Sequence, residues 1–288
     1  MIIYLMRIIN RLLMSLTLLV AVITPAGAQI VNMEKSQSQI ADSIRAELDN
    51  RPYFSLYKDT YFVGGTVLGG TPDSYNSDVK FQISFQQRLT KSILPGHTYL
   101  YLFYTQKAIW HVFRNSLPFH DLNFNPGIGL SRHIIMKNRL VGKATLMLEH
   151  ESNGKDGTLS RSWNKISIAA EAYISPNFMA HAKYWIPIVD GKYNRDILDY
   201  SGIYQAGFQA ISNDNKWVLD MTLVKRKTWK PFNFNTIIQL GYRINHNSNQ
   251  FIMLQYYNGY GEYMMDYKQY HSRLRIGLLI RPRFFSDF

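Results

Sequence analysis

Cysteine is absent from this chain of 288 residues. A fold of this size without disulfides is held by backbone hydrogen bonding and packing. A long apolar run is missing too. Leu12 to Ile23 is apolar but short of the roughly 20 residues that a spanning helix needs, and no later segment supplies such a run. A helical membrane protein is thereby excluded. Acids are scarce: 20 Asp and Glu stand against 32 Lys and Arg, for a formal charge of +12. No repeat of fixed period and no composition break marks a second domain.

The short apolar run has its own reading. Arg7 and Arg11 precede it, and Ala26-Gly27-Ala28 follows it before Gln29, the layout of a cleaved secretory signal. Residues 1–28 are expected to be a signal peptide, 29–58 a polar periplasmic segment and 59–288 one further domain. Loss of the signal removes two arginines and no acid, which lowers the charge from +12 to +10. Export argues against nucleic acid as the partner of that charge. Anionic lipid or lipopolysaccharide head groups fit better.

Aromatic residues are plentiful at 14%, with 20 Tyr and 16 Phe, yet mean hydropathy is only −0.19. Strands that alternate apolar and polar residues produce this combination. From Asp59 onward twelve alternating segments can be counted, near 59–68, 78–90, 98–110, 121–133, 138–152, 161–175, 178–188, 200–212, 216–227, 233–244, 249–259 and 271–285. In the second, Val79, Phe81, Ile83 and Phe85 oppose Lys80, Gln82, Ser84 and Gln86. In the twelfth, Leu274, Ile276, Leu278 and Ile280 oppose Arg273, Arg275 and Arg281. Pro176 and Pro187 fall near segment ends, where a missing donor is tolerated. The terminal Phe288, with Phe284 upstream, adds a mark familiar from outer-membrane barrels. The fold class is all-β: a twelve-stranded antiparallel transmembrane β-barrel. Ahead of it, Ile40, Ala41, Ile44 and Leu48 fall at helical spacing, which predicts a short periplasmic helix.

Barrel topology assigns sides. With both termini periplasmic, the connections 111–120 and 153–160 lie outside, and 111–120 is expected to be the longer. In the fifth segment Ala144, Leu146, Leu148, His150 and Ser152 share a face; Glu149 and Glu151 fall on the other. In the sixth, Asn164, Ile166, Ile168, Ala170, Ala172 and Ile174 share a face. His150, Ser152 and Asn164 therefore meet on the lipid-facing wall near the outer rim. A histidine at a rim is ordinarily an interfacial polar residue, and Ser or Asn beside a turn is ordinarily turn chemistry. Their coincidence on a face that should be apolar points instead to catalysis. Ser152 would be the nucleophile, His150 the base and then the acid, and Asn164 the group that orients the imidazole. A neutral orienter suits a site beside lipid, where an unpaired carboxylate is costly.

These residues lie in His150-x-Ser152-Asn153-Gly154 and Ser160-Arg161-Ser162-Trp163-Asn164. With Tyr104-Thr105-Gln106-Lys107, Ser116-Leu117-Pro118-Phe119, Gly259-Tyr260-Gly261-Glu262 and Asp266-Tyr267, they make the chain resemble the outer-membrane phospholipase A family over most of its length. The resemblance implies calcium-dependent, dimer-activated hydrolysis of glycerophospholipid acyl esters, with A1, A2 and lysophospholipase activity. It implies a homodimer in the outer membrane acting on membrane phospholipids. It also implies an oxyanion contact at Gly154, calcium ligands at Ser116, Lys155 (by its carbonyl) and Ser160, and a dimer-interface role for Gln106. The family commonly has Arg where Lys155 stands here, and the connection Lys155-Asp156-Gly157-Thr158-Leu159 departs from the family pattern. The rival to an enzyme is a porin-like channel, suggested by lumenal Lys80, Glu149, Glu171, Arg273 and Arg275, and a second rival is a barrel acting on lipid A instead of glycerophospholipid.

Overall fold

The computed structural model describes residues 34–188, 192–245, 248–282 and 286–287. The expected signal peptide, Phe284 and Phe288 lie outside them. Twelve strands make the barrel: β1 (Thr60–Val67), β2 (Ser77–Arg88), β3 (Thr98–Trp110), β4 (Phe119–Met136), β5 (Arg139–Ser152), β6 (Ser162–Ser175), β7 (Phe178–Ile188), β8 (Tyr204–Ile211), β9 (Trp217–Lys225), β10 (Phe234–Arg243), β11 (Gln250–Gly259) and β12 (His271–Ile280). Each pairs antiparallel with the next, and β12 returns to β1 from Arg273 opposite Val67 to Ile280 opposite Thr60. Closure leaves no open edge, the condition for a sheet to sit in hydrocarbon without unpaired backbone groups. A short strand, Phe54–Leu56, extends the line of β1 along β2, with Phe54 opposite Gln87. Before it, a helix, α1 (Glu34–Asp49), ends against Arg88, whose guanidinium donates to the carbonyls of Leu48 at 2.6 Å and Asp49 at 2.7 Å. A cation there satisfies carbonyls that the helix leaves unpaired.

Alternation sorts the side chains as the sequence predicts. Ile83, Leu146, Leu148, Ile168, Ile276 and Leu278 are exposed on the outer wall, while Lys80, Ser84, Met147, Glu149 and Arg275 are buried in the lumen. The lumen is filled. Arg275 holds Asp78 and Glu262, each at 2.6 Å, and Lys80 reaches Glu262 at 3.0 Å. Lys183 pairs with Glu149 at 2.8 Å, Lys165 with Glu151 at 2.8 Å and Lys143 with Glu171 at 3.1 Å. Tyr61, Val63, Phe251, Met253 and Leu279 pack beside them as an apolar cluster. What remains is a cavity of about 230 Å³. The charges that suggested a channel are thus engaged with one another. In a planar bilayer the protein is expected to pass no more than a small fraction of a porin's current. Porin-sized steady conductance would reopen the channel reading.

The connections that follow β3, β5 and β7 leave the same end of the barrel, and described residues in them make contacts across it. Arg114 of connection 111–118 donates to the Tyr75 carbonyl at 2.8 Å, and Asn194 donates to the Ser162 carbonyl at 2.8 Å. One expectation needs correcting. Phe119 and His120 belong to β4, so connection 111–118 is no longer than connection 153–161.

Candidate active site

The cross-strand register builds the site row by row. Ser152 lies between Phe124 of β4 and Ser162 of β6, and Gln106 of β3 pairs with Phe124. One row inward, His150 pairs directly with Asn164, which in turn pairs with Ile188. Next come Leu102, Ile128, Leu148, Ile166 and Ile186 on successive strands. The polar residues thus sit at the top of an apolar wall. A shallow groove of about 550 Å³ runs beside His150, lined among others by Leu102, Pro126, Ile128, Leu148 and Ile188.

His150 Nδ1 lies 2.8 Å from Asn164 Oδ1. An amide oxygen only accepts, so Nδ1 carries the proton and Nε2 is left free to act as a base. Ser152 stands two residues along the same face. No hydrogen bond joins its hydroxyl to His150 among the described residues. Residues so spaced are about 6.5–7 Å apart along the backbone, a gap that side chains leaning together can bridge. Glu149 and Glu151 face the lumen in ion pairs with Lys183 and Lys165, away from this site.

Connection 153–161 is organised by Asn153, which is 3% exposed. Its Oδ1 accepts from the Arg161 backbone N–H at 2.9 Å, and its Nδ2 donates to the Leu159 carbonyl at 2.9 Å. A 3₁₀ turn, Gly157–Leu159, fills the loop, with Ser160 N–H donating to the Gly157 carbonyl at 3.2 Å. Gly154 has φ +64°, and a Cβ there would stand 2.9 Å from the Phe124 ring. Backbone conformation and crowding both demand glycine. Gly154→Ala is therefore expected to cut activity by ten-fold or more while the barrel keeps its fold. The check is turnover beside heat-dependent gel mobility, and unchanged turnover would show that this backbone is not needed as it stands.

A second set of contacts holds the loop from the lumen side. Asp121 Oδ2 accepts from the Met265 N–H at 2.8 Å, and Asn123 Oδ1 accepts from the Met264 N–H at 3.1 Å. His120 Nε2 lies 2.6 Å from Asp266 Oδ2; the carboxylate accepts, and this bond holds Asp266 below the usual carboxylate range. Lys155 Nζ donates to the His120 carbonyl at 3.3 Å, and Asn153 Nδ2 touches Met265 Sδ at 3.8 Å. Connection 260–270 therefore braces connection 153–161.

Sequence reasoning missed three supports: Asn153, Asp121, and Asn125 with Pro126. Pro126 sits inside β4 opposite His150 and has no N–H for the ladder. Asn125 Nδ2 donates to the His150 carbonyl at 2.8 Å instead. A proline inside a central strand was the local conflict that could have drawn attention there.

Gln106 is on the outer face with Tyr104, whose hydroxyl donates to Gln106 Oε1 at 3.1 Å. The calcium ligands that the family resemblance implies fall on two connections. The Lys155 carbonyl and Ser160 hydroxyl have no hydrogen-bond partner among the described residues. Ser116 is exposed at φ +63° on connection 111–118, and no described contact joins it to Ser160. Uncommitted carbonyl and hydroxyl oxygens are the hard donors that calcium takes, so the residues fit the ion.

A closed barrel with a histidine–asparagine pair and a serine on its outer wall has the residues of an acyl hydrolase set at the lipid surface. Comparison with known proteins agrees. The family model for phospholipase A1 matches residues 66–280. Phospholipase A1 of Proteus vulgaris is 29% identical over 222 residues, covering 74% of this chain and 73% of that one. Phospholipase A1 of Escherichia coli (strain K12) is 26% identical over 211 residues, covering 72% and 71%. The outer membrane phospholipase A of Escherichia coli superposes with TM-score 0.70 at 24% identity, over 80% of this chain and 99% of that one. A Salmonella typhi outer membrane phospholipase dimer with bound calcium gives 0.71 at 24% identity, over 84% and 98%. The chain belongs to the phospholipase A1 family. It is an outer-membrane phospholipase.

Proposed function

We propose that this protein hydrolyses acyl esters of glycerophospholipids through Ser152, His150 and Asn164, in a calcium-dependent homodimer. The observation that carries the reading is the 2.8 Å contact between His150 and Asn164 on a wall that is otherwise apolar. Ser152 Oγ attacks the ester carbonyl as its proton passes to His150 Nε2. The Gly154 N–H donates to the resulting oxyanion. Collapse expels the alcohol, which takes the proton from His150 and leaves the acyl group on Ser152. Water, deprotonated by His150, then attacks the acyl carbonyl, releasing the fatty acid and restoring Ser152. Asn164 fixes the orientation of the ring with Nε2 toward Ser152 and holds the imidazolium as it forms.

Lys155 (carbonyl) and Ser160 of one subunit, with Ser116 of the partner subunit, would hold the calcium. When bound, the ion supplies positive charge beside the developing oxyanion. Gln106 would lie at the two-fold interface, where a lipid-facing amide gains a partner. With few protein ligands and no carboxylate, binding should be weak. Chelation is expected to reduce fatty-acid release at least a hundred-fold and to lower the fraction of cross-linkable dimer. Ser160→Ala should demand several-fold more calcium for half-maximal rate. Turnover undiminished by chelator would overturn the calcium assignment while leaving the triad standing. Cleavage at the A1 and A2 positions and of lysophospholipid is part of the same reading, and product analysis separates the three.

A further inference from the structure

The connection between β9 and β10, residues 226–233, differs from the rest of the molecule. Trp229 is 103% exposed and Phe232 is 92% exposed; the next most exposed large hydrophobic side chain among the described residues, Ile93, reaches 78%. Four cations, Lys225, Arg226, Lys227 and Lys230, share this stretch with no carboxylate. In the lumen, Lys80, Lys143, Lys165, Lys183, Arg273 and Arg275 all meet an acid within 3.1 Å. Neither Arg226, Lys227 and Lys230 of this connection nor Lys225 at the end of β9 forms an ion pair among the described residues. The neighbouring Asp196, between β7 and β8, is taken by Lys268 at 2.7 Å and Tyr267 at 2.5 Å.

The base of the connection is ordered. Arg226 N–H donates to the Asn233 carbonyl at 3.1 Å, Lys227 N–H to the Leu198 carbonyl at 3.2 Å, and Lys225 Nζ to the Arg226 carbonyl at 2.8 Å. Only the tip, Trp229-Lys230-Pro231-Phe232, lacks support. It leaves the outer end of two membrane-spanning strands, the level at which lipid head groups lie. Aromatic rings partition into that layer, and lysines are attracted to its anions.

We propose that this connection binds the phosphorylated, anionic head group of a lipid in the outer leaflet, with Trp229 and Phe232 seated among the acyl chains and Lys227 and Lys230 on the phosphates. β9 and β10 lie four strands from β5 and β6, so occupancy leaves the catalytic wall clear. The lipid is a fixed neighbour, distinct from the substrate.

The test is a titration of fluorescent diphosphoryl lipid A by the purified full-length protein in zwitterionic detergent, followed by anisotropy. Phosphatidylcholine and inorganic phosphate serve as competitors. Saturable binding is expected, weakened by salt and not displaced by either competitor. K227Q/K230Q should weaken it by ten-fold or more, as should W229A/F232A. Both variants should retain wild-type hydrolysis in mixed micelles, which confirms that they fold. Equal binding by both variants would overturn the site. Displacement by inorganic phosphate would overturn the lipid as ligand, and displacement by phosphatidylcholine would overturn the demand for anionic charge.

Discussion

Replacement of Ser152 by alanine is expected to lower fatty-acid release by at least about a thousand-fold, since only the catalysis supplied by binding and the oxyanion contact is left when a triad loses its nucleophile. The barrel should stay intact, because Ser152 stands on the outer wall and its hydroxyl makes no hydrogen bond among the described residues. Surface changes of this kind shift stability by about 0.5 kcal/mol or less. His150→Ala should cost a similar factor, and the double variant little more, since two groups serving one proton transfer do not lose activity additively. Asn164→Ala should be milder, because it removes one bond to the imidazole and leaves the nucleophile and base. The check is turnover in mixed micelles beside heat-dependent gel mobility. A Ser152→Ala protein that still hydrolyses phospholipid would end the assignment, whatever its folding state.

The second large effect concerns stability. Arg275→Leu is expected to destabilise the barrel by about 3–5 kcal/mol, the usual cost of removing one partner from a buried charge cluster. Arg275 is 1% exposed and bonds Asp78 through Nε at 2.6 Å and Nη2 at 3.1 Å, and Glu262 through Nη1 at 2.6 Å. Without it, among the described residues, Asp78 keeps Arg273 at 2.8 Å, and Glu262 keeps Lys80 at 3.0 Å and His271 at 3.5 Å. The pH dependence follows. Burial pushes the Glu262 carboxyl up, but Arg275 and Lys80 outweigh it and hold the group well below the usual range. A carboxylate lowered on folding stabilises the protein above its unfolded pKa of about 4.3, and that contribution is lost as pH falls through the lower folded value. Wild-type protein should therefore keep the contribution from neutral pH down to about 4.3 and lose it as pH falls further, whereas Arg275→Leu, already less stable at neutral pH, should lose less over the same acid range. Urea unfolding in lipid vesicles at several pH values measures both. An unchanged midpoint would mean that the cluster adds nothing net.

Much of this molecule could be read along the chain, because a barrel strand has a period of two and lipid enforces it. Val79, Phe81, Ile83 and Phe85 on one face, with Lys80, Gln82 and Ser84 on the other, are enough to orient β2. The same parity brought His150 and Asn164 together before any coordinates. The supports of the site could not be read in this way, because they join residues distant in sequence. Asp121 and Asn123 hold Met264 and Met265 across more than a hundred residues. The bond from Asn125 to the His150 carbonyl depends on strand register around Pro126. The strand Phe54–Leu56 is too short to show alternation, and Tyr57, Lys58 and Asp59 separate it from β1. Loop ends shifted where sequence patterning is weakest, as at Phe119 and His120.

Hydrolysis of phospholipid at the outer wall of this barrel is open to direct assay. The most direct measurement is fatty-acid release from phosphatidylethanolamine in mixed micelles by the purified, folded protein, with calcium and with chelator. Release that requires calcium is expected. A folded barrel that releases no fatty acid with calcium present would contradict it.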